Sequence, residues 1–260
     1  MKTLIDQLGT SHSFASAPKR IVSLVPSQTE LLYDLGQEVK IVGLTKFCVH
    51  PVHLKSIKKI IGGTKKVHID RIRELNPDLI IANKEENTLD MVMELRQICP
   101  VWVTNILTYE DNLQMISDFG QLLNCETEAQ IWIDKIDFAY RNFQNFIQEI
   151  PVKKAAYFIW ANPYMVAGSD NFINEMLQLN HFQNIYESKS RYPEIELEKI
   201  GLEGNSDLIL LSSEPFPFKE EHALEIGRYT HAKTVFVDGE MFSWYGSRIL
   251  KAFEYFKLLH

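Results

Sequence analysis

Short runs of Val, Ile and Leu recur along this chain with helical patterns between them, and that alternation restricts the fold more than anything else in the sequence. RIVSLV (20–25), VKIVGL (39–44), PDLIIA (77–82) and VWVT (101–104) read as strands in the first half. KKAAYFIW (153–160), DLILLS (207–212) and KTVFV (233–237) do so in the second. A strand that is apolar at successive positions is buried on both faces, and sheets buried on both faces are parallel sheets covered by crossover helices. The expected class is therefore α/β. SQTELLYDLG opens with a capping-box pattern, Ser27 with Glu30 three residues later, and stops at Gly36. Helical periodicity also marks TLDMVMELRQI, YEDNLQMISDFGQLL, DNFINEMLQL, KEEHALEIG and the final ILKAFEYFKLLH.

The alternation breaks once. From Cys125 to Ile150 there is no Gly or Pro, and Ala129, Trp132, Ile136, Ala139, Phe143, Phe146 and Ile150 recur at spacings of three and four. That is one apolar stripe on a helix of roughly 35–40 Å. The simplest organisation is an N-terminal α/β lobe (1–123), a linking helix (124–150) and a C-terminal α/β lobe (151–260). A faint repeat agrees with equivalent lobes: IDRIRELNPDLIIA (69–82) and LEKIGLEGNSDLILLS (197–212) share an acid, a base and Ile before Asp-Leu-Ile. It sets Asp70 and Glu198 at matching places.

Composition excludes several classes. The net charge of −7 argues against nucleic acid, whose phosphates need a concentrated basic surplus. No apolar run approaches the roughly 20 residues of a membrane span. Three scattered cysteines do not make a disulfide framework. The N-terminus has Lys2 and an Ala15-Ser16-Ala17 resembling a cleavage site, but Asp6, Gln7, Gly9, Ser11 and His12 leave no continuous apolar core between them. The expectation is that no export signal is present, so that the chain stays inside the cell or has lost its signal. No GxSxG, HExxH or P-loop occurs, and GGTKK (62–66) lacks the Walker spacing, so no enzyme is expected.

One segment is anomalous. VDGEMFSWYGSR (237–248) joins a strand to the final helix, where a short polar surface loop is expected, yet it carries Met241, Phe242, Trp244 and Tyr245. Arg248 falls in the first turn of that helix, where the macrodipole disfavours a cation. An anionic partner answers this: a ligand phosphate or carboxylate, Asp238, or Glu240. CVHPVH places Cys48, His50 and His53 close together, all metal-ligand types, although Pro51 prevents a common helical face. No metal site is expected there.

DQLG, APKRIVSLVPSQTELLYDLG, IVGLTKFCVHP, IGGT, IDRIRELNPDLIIA and RYPEIELEKI together resemble the substrate-binding proteins of iron-siderophore and vitamin B12 ABC importers. The likeness runs over nearly the whole chain, in order, and leans toward the cobalamin-binding branch and the helical-backbone metal receptors. It implies two Rossmann-like lobes joined by one long backbone helix, a ligand cleft between them, and delivery to a membrane permease. The ligand so implied is cobalamin, a ferric siderophore or haem, carried as cargo with no permanent cofactor, by a monomer outside the cytoplasm. The ligand-facing positions implied are Phe47, Cys48, Trp160, Tyr192, Phe242, Trp244, Tyr245 and Arg248. Asp70 and Glu198 would engage permease arginines. Where the cobalamin branch carries a tryptophan after the Thr, this chain has Lys65 and Lys66, which leaves room for an anionic chelate. Two alternatives stay open: a corrinoid or metal-chelate carrier in the cytoplasm without a permease, and a metal-dependent enzyme built on Cys48, His50 and His53.

Overall fold

The computed structural model describes residues 2–203 and 205–260; Met1 and Gly204, the latter inside the second repeat segment, lie outside them. The chain divides into two compact units, 1–138 with 245–249, and 139–244 with 250–260. The division differs from the expected one in two ways. It falls inside the long helix, and the last four residues of the anomalous segment, with Ile249, group with the first unit.

The first unit begins with an antiparallel hairpin, β1 (Lys2–Ile5) and β2 (Ser11–Phe14). It continues through β3 (Ile21–Ser23), α1 (Pro26–Asp34), β4 (Ile41–Leu44), α2 (Leu54–Ile57), β5 (Lys59–Ile60) and α3 (Ile69–Glu74). Then come β6 (Leu79–Asn83), α4 (Leu89–Leu95), β7 (Val101–Thr104), α5 (Tyr109–Leu123) and α6 (Glu126–Ile147). Its main sheet has the order β5-β4-β3-β6-β7, parallel throughout. Every residue of β3, β6 and β7 is buried, and each is apolar up to a polar last residue, Ser23, Asn83 or Thr104. At α5, Thr108 and Asp111 form a capping box with both reciprocal hydrogen bonds.

The second unit contains β8 (Lys153–Trp160), β9 (Met165–Val166), α7 (Phe172–Leu179), β10 (Phe182–Asn184), α8 (Ile200–Glu203) and β11 (Leu208–Ser212). It ends with α9 (Glu220–Ile226), β12 (Lys233–Val237), α10 (Gly239–Ser243) and α11 (Ile249–Phe256). The parallel order is β10-β8-β11-β12, with β9 antiparallel to β8. KTVFV reads as buried from its composition. As β12 it is an edge strand, with Phe236 48% exposed.

The stripe on α6 is present in part: Trp132 is half-buried and Ile150 lies past the helix end. Ala129, Ile136, Ala139 and Phe143 are buried, but the next buried position is Ile147, while Phe146 is exposed. Four residues after Phe143 keeps closer to the helix face than three does at that point. In the first unit the Trp132 indole donates to the Asp34 carbonyl, and in the second Phe143 stacks with Phe253.

The repeat has a structural counterpart. In the first unit the Asp78 amide donates to the Arg20 carbonyl, and the Asp78 carboxylate accepts from the Arg20 amide at 2.8 Å. In the second the Asp207 amide donates to the Lys154 carbonyl, and its carboxylate accepts from the Lys154 amide at 2.7 Å. Each aspartate precedes a central strand and ties its start to the start of the neighbouring one, so the shared Asp-Leu-Ile is a register device.

The hairpin has no counterpart among the sequence expectations. Asp6 holds it: its carboxylate accepts from the Leu8, Thr10 and Val103 amides and faces His12 Nε2 at 3.0 Å. Burial alone would raise this carboxyl, but His12 and the Thr10 and Val103 amides together hold it below the ordinary carboxylate range. A depressed folded pKa contributes stability above the unfolded value of about 4, and that stability is lost as pH falls through the folded pKa. Asp6→Asn is expected to cost about 2 kcal/mol near neutral pH. Urea midpoints should show the gap between the two proteins constant above about pH 5 and narrowing below about pH 4. A gap independent of pH down to acid unfolding would contradict this assignment.

Candidate ligand-binding site

In parallel α/β sheets, ligands meet the carboxyl ends of the strands. In the first unit β4 runs out into Thr45, Lys46, Phe47 and Cys48, and the two candidates there part company. The Phe47 ring is 48% exposed, with the Lys46 ammonium 4.9 Å from its centroid. Cys48 turns inward, wholly buried, accepting from Thr29 Oγ1 at 3.1 Å. Burial pushes its thiol up, against the thiolate that a metal or electrophile requires. Cys48 is thus corrected from a ligand contact to a core position. His53 turns elsewhere, pairing with Glu38 at 3.0 Å and meeting Tyr33 edge-on. Among the described residues no three His, Cys, Asp or Glu side chains come together as a metal cluster.

Next to Phe47 lies the 62–66 turn, with Lys65 and Lys66 exposed. The end of β6 holds that turn: Asn87 donates to the Thr64 carbonyl and accepts from the Asn83 amide. Burial pushes the Glu86 carboxyl up despite the opposing charge of Lys65. Neither Asn83 nor Glu86 stands out in the sequence, because a polar residue after a strand is ordinary loop chemistry.

The anomalous segment is not a surface loop. Asp238 caps α10, accepting from the Glu240 amide, and the helix carries Phe242 inward. Phe242 is wholly buried between Tyr157 at 5.0 Å and Phe256 at 4.9 Å, so it is corrected from a ligand contact to core. Trp244 is buried too, its indole N–H donating to Glu214 Oε1 at 2.7 Å. Burial raises the Glu214 carboxyl, outweighing the hydrogen bonds from Ser243 and Trp244.

From Tyr245 onward the segment belongs to the first unit. The buried Tyr245 hydroxyl accepts from Gln28 Nε2 at 3.1 Å, and the phenol is pushed up chiefly by burial. Arg248 stands in a single 3-10 turn, Gly246–Arg248, ahead of α11. It has an anionic partner in Glu30. Arg248 Nε donates to Glu30 Oε2 at 2.7 Å and Nη2 to Oε1 at 2.9 Å, a bidentate pair buried on both sides. This also corrects the helix start. α1 begins at Pro26 with Val25 at the cap and no side-chain cap bond, so Glu30 closes no capping box with Ser27.

In the second unit Trp160 ends β8 and is 40% exposed, edge-on to Phe216 at 5.5 Å. Phe216 belongs to SSEPFPF, the turn after β11, and meets Phe218 at 5.0 Å and His222 at 5.1 Å. Sequence reasoning passed over this turn, although two phenylalanines after a strand end were a usable signal. Tyr192 is partly exposed, with the Arg191 guanidinium 5.8 Å from its ring centroid. A cavity of about 440 Å³ lies toward the amino ends of β8, β11 and β12, away from Trp160. Asp70 and Glu198 are both exposed: Asp70 in the first turn of α3, 3.3 Å from Arg73, and Glu198 in the 3-10 turn before α8.

The family described as "periplasmic binding protein" matches residues 21–226. An uncharacterized ABC transporter substrate-binding lipoprotein, YvrC of Bacillus subtilis, is 25% identical over 97% of this chain and 83% of its own length. Among solved structures, the periplasmic vitamin B12-binding protein BtuF of Vibrio cholerae superposes with a TM-score of 0.80 at 19% identity, covering 93% of this chain and 96% of that one. A periplasmic heme-binding protein from Pseudomonas aeruginosa gives 0.81 at 18% identity, covering 93% and 92%. At such identities the structural likeness speaks for the fold.

Proposed function

Since this chain belongs to the periplasmic binding protein family, we propose that it is the substrate-binding protein of an ABC importer, taking up cobalamin, haem or a ferric siderophore outside the cytoplasm. It acts by binding, as a monomer, and hands the chelate to a membrane permease. The observation that carries this reading is the exposure of Phe47 and Trp160 at the carboxyl ends of β4 and β8. Large rings left in water at strand ends suit a broad, partly planar ligand. Tyr192 joins them as a ligand contact, and Lys65 and Lys66 favour a ligand carrying negative charge. Trp244, Tyr245 and Arg248, each buried within its own unit, complete the proposed set of ligand positions. Asp70 and Glu198 are the docking acids, where exposed charge gives steering and register.

Titration of the purified chain with cyanocobalamin, haem and ferric siderophores tests the reading. One of them should bind, and Trp160→Ala should weaken it at least about tenfold, the loss of a stacked aromatic surface. Reversing both Asp70 and Glu198 to Lys should abolish stimulation of the permease ATPase in vesicles and leave the ligand titration unchanged. Absence of binding to every chelate would sink the proposal.

A further inference from the structure

We propose that His222 is a hydrogen-bond donor locked in one tautomer, which reads an acceptor oxygen on the rim of a planar macrocycle lying against Trp160 and Phe216. The inference rests on the transport reading and narrows its ligand class. Trp160, Phe216 and His222 form one partly exposed aromatic surface of the second unit, with the rings of Trp160 and His222 flanking Phe216 at 5.5 and 5.1 Å.

The tautomer follows from the backbone. The Lys219 amide donates to His222 Nδ1 at 3.0 Å. An amide N–H can only donate, so Nδ1 presents its lone pair and the ring proton sits on Nε2. Phe216 at 87° and Phe218 at 82° meet the imidazole edge-on and restrict its rotation. Among the described residues, Nε2 has no hydrogen-bond partner.

The consequence is chemical. Coordinating a metal through Nε2 would move the proton to Nδ1 and break the bond to the Lys219 amide. Donating Nε2–H to an oxygen breaks nothing. A carboxylate or carboxamide oxygen on the ligand's periphery is therefore the matched acceptor, and the exposed Trp160 ring, with Phe216 edge-on beside it, offers an apolar face for the ring system that carries it. Recognition on this unit is of the organic ligand and indifferent to its metal.

Tryptophan-fluorescence titrations with ferric protoporphyrin, metal-free protoporphyrin and cyanocobalamin test this on the full chain. His222→Phe keeps a ring but removes the donor, and His222→Gln supplies one again. The expected result is a loss of about 3–10-fold in affinity for the planar probe that binds in His222→Phe, as for one hydrogen bond. His222→Gln should recover most of it, and the loss should be equal for the ferric and metal-free porphyrins if those bind. Affinity unchanged in His222→Phe overturns the inference, as does a loss confined to the iron form. Binding of a ferric siderophore but of no planar probe overturns it too, and leaves the transport reading standing. Binding of no chelate at all removes both.

Discussion

Arg248→Met is expected to lower the unfolding free energy by about 3–5 kcal/mol, the loss found when one member of a buried ion pair is removed. The partner left behind, Glu30, is buried and holds both carboxylate oxygens toward the guanidinium. Without the arginine a buried carboxylate loses its guanidinium counter-charge, and that is costly. An exposed pair such as Lys257 with Glu254, three residues apart on the surface, should contribute only about 0–1 kcal/mol. The decisive comparison is the double variant Glu30→Gln with Arg248→Met. It removes both charges, so it should recover much of the single variant's loss, giving a coupling of about 1–3 kcal/mol in a double-mutant cycle by urea denaturation. A single variant within about 1 kcal/mol of the parent would show that the pair is not sustained in solution.

Gly168→Ala carries the second large effect. A Cβ built on Gly168 would stand 1.9 Å from the Lys189 carbonyl oxygen, 2.9 Å from its carbon and 3.2 Å from the Tyr186 carbonyl oxygen. All three are backbone atoms, so no side chain can swing aside. The two segments are tied by Gly168 donating to Arg191 and Ser169 donating to Lys189. Asn171 and Asn184 add side-chain bonds to the Gly168 carbonyl. Separating them breaks that set, and about 3 kcal/mol is expected, at the upper end of overpacking costs. Tyr192 follows directly, so near-ultraviolet circular dichroism and ligand affinity should change with stability. Gly201→Ala is the control, since its Cβ would meet only the Tyr229 carbonyl oxygen at an ordinary 3.5 Å. Equal behaviour of the two variants would refute the close approach.

The architecture was largely legible before any coordinates. VWVT, KKAAYFIW and KTVFV coincide with strands, and YEDNLQMISDFGQLL coincides with a helix. These are local statements: a parallel strand packed beneath crossover helices is apolar along most of its length, and a helix must repeat every three or four residues. The hairpin was missed because KTLI and SHSF are too short and polar to signal a strand. They are held by Asp6 reaching Val103, 97 positions away.

The candidate site was legible only in part. Phe47 and Trp160 follow strand ends, and that position alone predicts exposure near a ligand. The same rule misplaced Cys48 and Phe242, because a strand end leads equally well into the core, and only the neighbours decide which. Thr29, Tyr157 and Phe256 made that decision.

The periodicity of apolar residues by itself determined the α/β class and the run of helices and strands, and the placing of Arg248 at a helix start pointed to an anion opposite it. Which anion it is, and that the aromatic segment around it lies inside, was decided only in three dimensions. Glu30 and Arg248 are 218 positions apart. Burial and charge pairing act through space, and no rule of sequence spacing reaches so far.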